Sequence, residues 1–193
     1  MRNEVKILEL KRRQLSPVME GAWDTVLGYF RLAHHRRQLT KDRLELVRGT
    51  MSSNVIYNSK FGLKSMVRSW FCLQWFGDVE EELENVNKAT PNSMIASTRT
   101  SVTITHQTLT NVFPHLLCDS DLRLVANSMI ASQRIVMCGS VCFVWCGTSE
   151  RVSSVTTQSD MLTPMLQLLG NWEDASRVFE NALISPDFQW RDL

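Results

Sequence analysis

The chain has 193 residues, 44% hydrophobic and 21% charged, and its 21 basic and 20 acidic side chains leave a formal net charge of +1. That is enough apolar material for a full core in one domain, and it excludes intrinsic disorder. The charge balance excludes an ordinary stand-alone nucleic-acid binder, whose affinity comes from neutralising phosphates, and no stretch reaches the roughly 20 apolar residues that span a bilayer.

Residues 1–15 carry a faint heptad in which Met1, Leu8 and Leu15 fall seven apart, with Val5 and Arg12 at the alternate core sites. Two heptads do not hold a coiled coil unaided, so 1–15 is a helical extension and 16–193 the folded domain. No continuous apolar segment of signal-peptide type opens the chain. The short basic clusters Lys11-Arg12-Arg13 and His34-His35-Arg36-Arg37 fit solvated helix faces.

Ser16-Pro17 is a helix start, a cap followed by proline in the first turn. Trp23, Val26, Leu27, Phe30 and Ala33 then follow helical spacing. A second helix is expected from near Thr40, presenting Leu44, Val47 and Met51. A short β-prone run occupies 54–58. After Phe61-Gly62 a third helix carries Met66, Val67, Trp70, Phe71 and Leu73.

The period then changes. In 78–87, Val79, Leu83 and Val86 fit a helix, whereas Val79 and Leu83 with Glu80, Glu82 and Glu84 opposite fit a strand. The turn-prone ATPNS that follows favours a hairpin, because its second arm alternates cleanly. Met94, Ala96, Val102 and Ile104 share one face of that arm, and Ser97, Arg99, Ser101 and Thr103 the other. The segment 107–131 reads as irregular with room for a short helix. A strand over 133–146 turns Ile135, Met137, Val141, Phe143 and Trp145 inward. The next strand loses alternation at Ser153-Ser154, where a bulge is expected. Two helices close the chain, one ending at Gly170 and one capped by Asn171. Trp172 and Trp190 are expected to pack helix and tail onto the body.

Cys138, Cys142 and Cys146 recur at a spacing of four, which invites a metal site. Val, Ile, Phe and Trp around them favour a strand. Residues four apart on a strand stand about 13 Å from one another, whereas zinc thiolates all lie about 2.3 Å from one ion. The trio is therefore expected to be buried free thiols acting as small hydrophobes, in a reducing, intracellular compartment, nuclear or cytoplasmic. No metal or cofactor is expected.

This order of elements resembles the cone-shaped SnoaL-like domains, relatives of nuclear transport factor two. The resemblance implies an α+β fold in which N-terminal helices cover a curved antiparallel sheet and further helices follow at the C-terminus. The phrases MVRSW (66–70), SVTIT (101–105), QRIVM (133–137), QSDMLTPML (158–166) and SRVFENALISPDFQW (176–190) are similar to the C-terminal domain of oomycete bZIP-type regulators. On that resemblance 1–15 would be the tail of a zipper. A DNA-reading basic region is a helix dense in Arg and Lys. This sequence carries none, so no direct nucleic-acid binding is expected from the chain alone.

Enzymes on this fold need a general acid or base in the cone cavity. His34, His35, His106 and His115 fit surface or structural roles, Asp160 fits a helix cap, and Arg99 falls on the face away from the core. The nucleophile-elbow, P-loop, dinucleotide and HExxH patterns are absent, and no catalytic residue is assigned. Two readings of the apolar inner face remain open. It is either a filled core or a closed pocket for a small apolar ligand, lined by Trp70, Thr98, Thr100, Phe143 and Trp145. On the opposite face, Val136, Cys138, Cys142, Val144 and Cys146 form an apolar strip suited to a homo- or heterodimer. The expected function is accordingly a non-enzymatic accessory domain of a bZIP-like regulator, for dimerisation or ligand sensing. The alternative is a small cyclase- or isomerase-type enzyme.

Overall fold

The computed structural model describes residues 17–34, 41–118, 121–132, 134–147 and 151–191. The 1–15 extension, with its heptad and Lys11-Arg12-Arg13, lies outside these, as do Ser16 and the segment from His35 to Thr40. Cα packing divides the chain into two compact units, 1–50 and 51–193.

The first unit contributes helix α1 (Pro17–His34) and helix α2 (Lys41–Thr50). Proline at the first helical position fits because the amide it lacks would have no partner there. Trp23, Val26, Tyr29 and Phe30 are buried at helical spacing, and the Tyr29 and Phe30 rings meet edge-on at 5.3 Å. Met51, expected on α2, instead opens the first strand.

The second unit is built on a six-stranded, curved, open sheet of order β2-β1-β6-β5-β4-β3. Its strands are β1 (Met51–Tyr57), β2 (Lys60–Phe61), β3 (Gly77–Thr90), β4 (Ser93–Thr103), β5 (Arg134–Trp145) and β6 (Val152–Ser159). The β1–β6 pair is parallel and every other pair antiparallel. The central β4–β5 ladder runs unbroken from Ser93↔Val144 to Thr103↔Arg134. Side chains alternate across a strand, so this one register sorts both strands into an inner and an outer face.

Bulges bend the sheet around that ladder. β3 slips against β4 at Asp78, Glu84 and Ala89. The slip at Glu84 explains the ambiguous pattern of 78–87. Val79 and Leu83 face inward before it, and the extra residue turns Val86 inward after it, where it is 3% exposed. At the other end, pairing steps from Val144↔Ser154 to Trp145↔Val152 and leaves Ser153 over. Its hydroxyl donates to the Val144 carbonyl at 3.0 Å, so the expected bulge is present.

Helix α3 (Leu63–Cys72) packs on β1 and buries Met66 and Trp70, but leaves Phe71 half exposed. The segment expected to be irregular holds three helices: α4 (His106–Val112), α5 (His115–Cys118) and α6 (Arg123–Ser132). Pro114 and the polar CDSD break these helices apart without abolishing them. α4 starts at a capping box in which Thr105 Oγ1 accepts from the Thr108 amide and Thr108 Oγ1 accepts from the Thr105 amide. The Thr108 hydroxyl also donates to the Trp75 carbonyl at 2.7 Å, which ties α4 to the turn after α3.

Helix α7 (Leu162–Leu169) ends at Gly170, whose φ of 74° is the left-handed conformation that suits glycine. Helix α8 (Trp172–Glu180) starts at Asn171, whose side chain accepts from the Asp174 amide at 2.8 Å. The two expected terminal helices are thus in place. The expectation for the tryptophans divides. Trp190 stacks edge-on against Trp75 at 5.5 Å and holds the tail down, whereas Trp172 is 64% exposed because it sits on the outward side of α8. One core of Phe76, Ile104, Phe113, Met129, Met137, Met165 and their neighbours joins α4–α8 to β4 and β5.

Gly139 lies mid-β5, where atoms of β4 and β6 approach it closely. A Cβ there would stand 2.5 Å from Ser159 Oγ, 2.7 Å from the Gln158 carbonyl oxygen and 2.9 Å from Thr98 Oγ1. A backbone oxygen cannot rotate away, so Gly139→Ala is expected to cost roughly 1–3 kcal/mol. Thermal unfolding should show this as a fall of several degrees. An unchanged Tm would mean that the three strands are less closely set than described.

Candidate functional site

Met94, Ala96, Thr98, Thr100 and Val102 of β4 face inward, beside Ile135, Met137, Val141 and Phe143 of β5, and all are buried. Of the five pocket candidates, Thr98 is 2% exposed, Thr100 4%, Trp70 3% and Phe143 0%, while Trp145 is half-buried at the end of β5. The Phe143 and Trp145 rings lie 6.2 Å apart and tilted by 38°. Thr98 and Thr100 stand two residues apart on one strand, and Thr98 faces Gly139. Trp70 is supplied by a different element, α3. Among the described residues, the buried polar side chains outside the core are hydroxyls alone: Ser93, Thr98, Thr100, Ser101 and Thr108.

The outer face differs. Val136 is 44% exposed and Val144 36%, Cys138 is exposed, and Cys142 is half-buried. Cys138 and Cys142 project from the same side of one strand, and Cys146 follows its end, so the three thiols are not buried as expected but lie on the outer side of the sheet or past its edge. Ile95, paired with Cys142 and 37% exposed, completes the strip. Sequence reasoning missed it because Ile95 interrupts an otherwise polar alternate set. The rim is charged. Arg99 Nε donates to Glu84 Oε1 at 2.7 Å, which keeps the guanidinium firmly protonated, and Arg134 donates to Glu80 and to Ser101.

The titratable candidates lie elsewhere. His106 is exposed at the first position of α4. His115 is half-buried and its Nε2 donates to the Arg177 carbonyl at 3.0 Å, a structural tie between α5 and α8. The His115 Nδ1 atom is buried without a hydrogen-bond partner among the described residues. His34 ends α1, and His35 lies outside the described residues. Asp160 Oδ1 accepts from the Thr163 amide at 3.0 Å, ahead of α7. Hydrogen bonds from the Thr163 side chain and backbone hold its carboxyl below the usual carboxylate range.

No family model matches the chain, and no curated protein matches it. Solved structures do. A SnoaL-like protein of Jannaschia sp. CCS1, named for a polyketide cyclase, superposes with a TM-score of 0.55 at 16% identity, over 82% of this chain and 98% of that one. A SnoaL-like polyketide cyclase of Agrobacterium tumefaciens gives 0.52 at 16% identity, over 75% and 95%. TsrD of Streptomyces laurentii gives 0.53 at 8% identity, over 81% and 98%. The fold is SnoaL-like. At these identities the likeness speaks for the fold and not for the activity.

On this SnoaL-like framework one further concavity lies away from the inner face. It is a cleft of about 150 Å³ among the β1–β2 hairpin, α3 and the C-terminal tail, and it includes none of the five pocket candidates. Lys60, Arg68, Cys72 and Arg191 line it together with hydroxyl and amide side chains. Burial pushes the Cys72 thiol up, and the nearby charges of Arg68 and Lys60 pull the other way. Sequence reasoning missed this group because Arg191 lies more than a hundred residues along the chain from Lys60 and Arg68. The available signal was the polar stripe Ser65, Arg68, Ser69 and Cys72, which recurs at helical spacing on α3.

The Asp160 cap gives a test that separates a structural from a catalytic carboxylate. Asp160→Ala is expected to cost about 0.5–1 kcal/mol, the low end for a lost cap because the site is exposed. A depressed folded pKa stabilises above the unfolded value, near 3.9, and the stabilisation is lost as pH falls through the folded value. The difference between wild type and variant in urea unfolding should therefore be full at pH 7 and shrink below pH 4. A difference that persisted undiminished into acid would contradict the cap.

Proposed function

We propose that this SnoaL-like domain works by association rather than by catalysis, as an accessory domain of a bZIP-type transcription regulator. The observation that carries the association is the outer face of β4 and β5, where Ile95, Val136 and Val144 stay more than a third exposed beside Cys138. A well-ordered sheet that holds aliphatic side chains in water gains by covering them. The salt-bridged rim of Arg99, Glu84, Arg134 and Glu80 would set the register of a partner rather than drive its binding. The occupant most consistent with this strip is a second copy of the same face, related by a two-fold axis. The regulator context rests on the sequence phrases alone.

A second reading is a small cyclase- or isomerase-type enzyme acting on an apolar molecule. The similar solved structures named as polyketide cyclases favour it more directly than they favour an accessory role. In that reading Thr98 and Thr100 would orient a ligand on the inner face. The buried polar set there consists of hydroxyls, and, among the described residues, the carboxylate on that side of the sheet is the half-buried Glu81, opposite Thr100.

Val144→Glu places a charge on the exposed strip without touching the core. Light scattering should show the wild-type dimer mass falling to the monomer value in the variant, with Tm nearly unchanged. A wild type that is monomeric at high concentration, or a variant that keeps its mass, would sink the association reading.

A further inference from the structure

We propose that the association surface extends beyond β4 and β5, across the outer face to the β1–β2 hairpin, where Ile56 and Phe61 form a second apolar anchor against another copy of the chain. This rests on the association reading and adds to it the extent of the surface and the residues that hold it.

The sheet register places these side chains. Residues paired across neighbouring strands stand on the same face, and successive residues of one strand on opposite faces. Val144 pairs with Ser154 of β6, Ser154 with Ile56 of β1, and Ile56 with Phe61 of β2. Beside them Phe143, Val155, Val55 and Tyr57 are buried toward the core, so the row from Val144 to Phe61 lies on the outer face. Phe61 is 77% exposed and Ile56 36%. With Ile95, Val136 and Val144 they make five of the nine large apolar side chains exposed among the described residues, which gathers on one face what an ordinary surface scatters singly.

Area argues for the longer surface. A strand residue covers about 16 Å² of sheet face, from a rise of about 3.3 Å and a strand spacing of about 4.8 Å. β4 and β5, of 11 and 12 residues, therefore present only about 370 Å². A stable complex covers about 800 Å² on each partner. The other four strands, of 7, 2, 14 and 8 residues, bring the face to about 860 Å². The full sheet reaches the needed size, and the ladder alone does not.

The occupant is a second copy because the arginines of this face are already neutralised within it. Arg99 bonds Glu84 and Arg134 bonds Glu80, so stacking the face on itself meets little repulsion and a charged partner gains little there. A two-fold axis along the strands, between β6 and β5, sets β1 of each copy over β4 of the other. Ile56 of one copy then lies toward Ile95 of the other, and the same contact occurs twice. The hairpin is fixed before association. The Asn58 side chain donates to Thr157 Oγ1 at 2.9 Å and accepts from the Thr157 amide at 2.7 Å. The Gly62 amide donates to the Val55 carbonyl at 2.7 Å, and the Ser65 hydroxyl to the Phe61 carbonyl at 3.1 Å. With its backbone held in this way, covering the Phe61 ring costs little further ordering.

The test is the dimer dissociation constant of the full chain, by analytical ultracentrifugation over a dilution series. Phe61→Ser should weaken the dimer at least about tenfold, as loss of a covered aromatic anchor does. Ile56→Thr should weaken it about threefold. Leu124→Ser, at a position 76% exposed but on α6 rather than on the sheet, should leave it unchanged. A Phe61→Ser variant that dimerises like the wild type while Val144→Glu is monomeric would overturn the extension and leave the association reading standing. A wild type monomeric at every concentration would remove both. Equal weakening by Leu124→Ser would mean unspecific apolar contact and would also overturn the proposal. If Phe61→Ser fails to fold, as its melting curve reveals, concentration-dependent amide shifts at Ile56 and Phe61 of the wild type decide instead. Their presence supports the proposal, and their absence overturns it.

Discussion

The pairing of β4 with β5 is the constraint on which the other features depend. Its register is continuous from Ser93↔Val144 to Thr103↔Arg134, with no bulge. Each residue of the two strands therefore has its face assigned by its neighbour across the ladder. A slip by one residue would carry Phe143 and Met137 into water and drive Arg99 into the core. The cost of burying that charge exceeds anything the strip of Val136 and Val144 could return.

Departures from regularity surround this straight centre, and they have a common effect. The slips in β3 and the extra residue at Ser153 let neighbouring strands turn relative to the ladder. Curvature gives the inner face its burial, while the outer face of the ladder keeps Ile95, Val136 and Val144 exposed. The two faces have opposite chemistry for that reason. The inner one is apolar with a few hydroxyls, and the outer one joins aliphatics and thiols to a charged rim.

The titratable groups follow the same division. Asp160 and His115 serve helix ends and ties between helices, and Arg99 and Arg134 serve the edge toward β3. β3 is an edge strand, and its row of Glu80, Glu82 and Glu84 discourages another strand from adding there. Positive charge instead accumulates at the opposite end of the sheet, around the β1–β2 hairpin and the tail.

Period alone determined the faces of β4 and β5, the caps of α7 and α8, and the bulge at Ser153. Each depends on residues within a few positions of one another, where alternation, capping and turn chemistry act locally. Thr98, Thr100 and Phe143 were legible as inward residues, and Val136 and Val144 as outward ones, by the same rule. Local pattern could not show that 107–131 holds three helices, because Pro114 and the polar CDSD mask short segments whose stability comes from packing on Phe76, Met137 and Met165. It also could not show that Lys60, Arg68 and Arg191 share a cleft. Only the closing of the tail against β6, through the bonds of Gln189 to Thr157 and of Ser159 to Asp187, brings together residues so far apart in the chain.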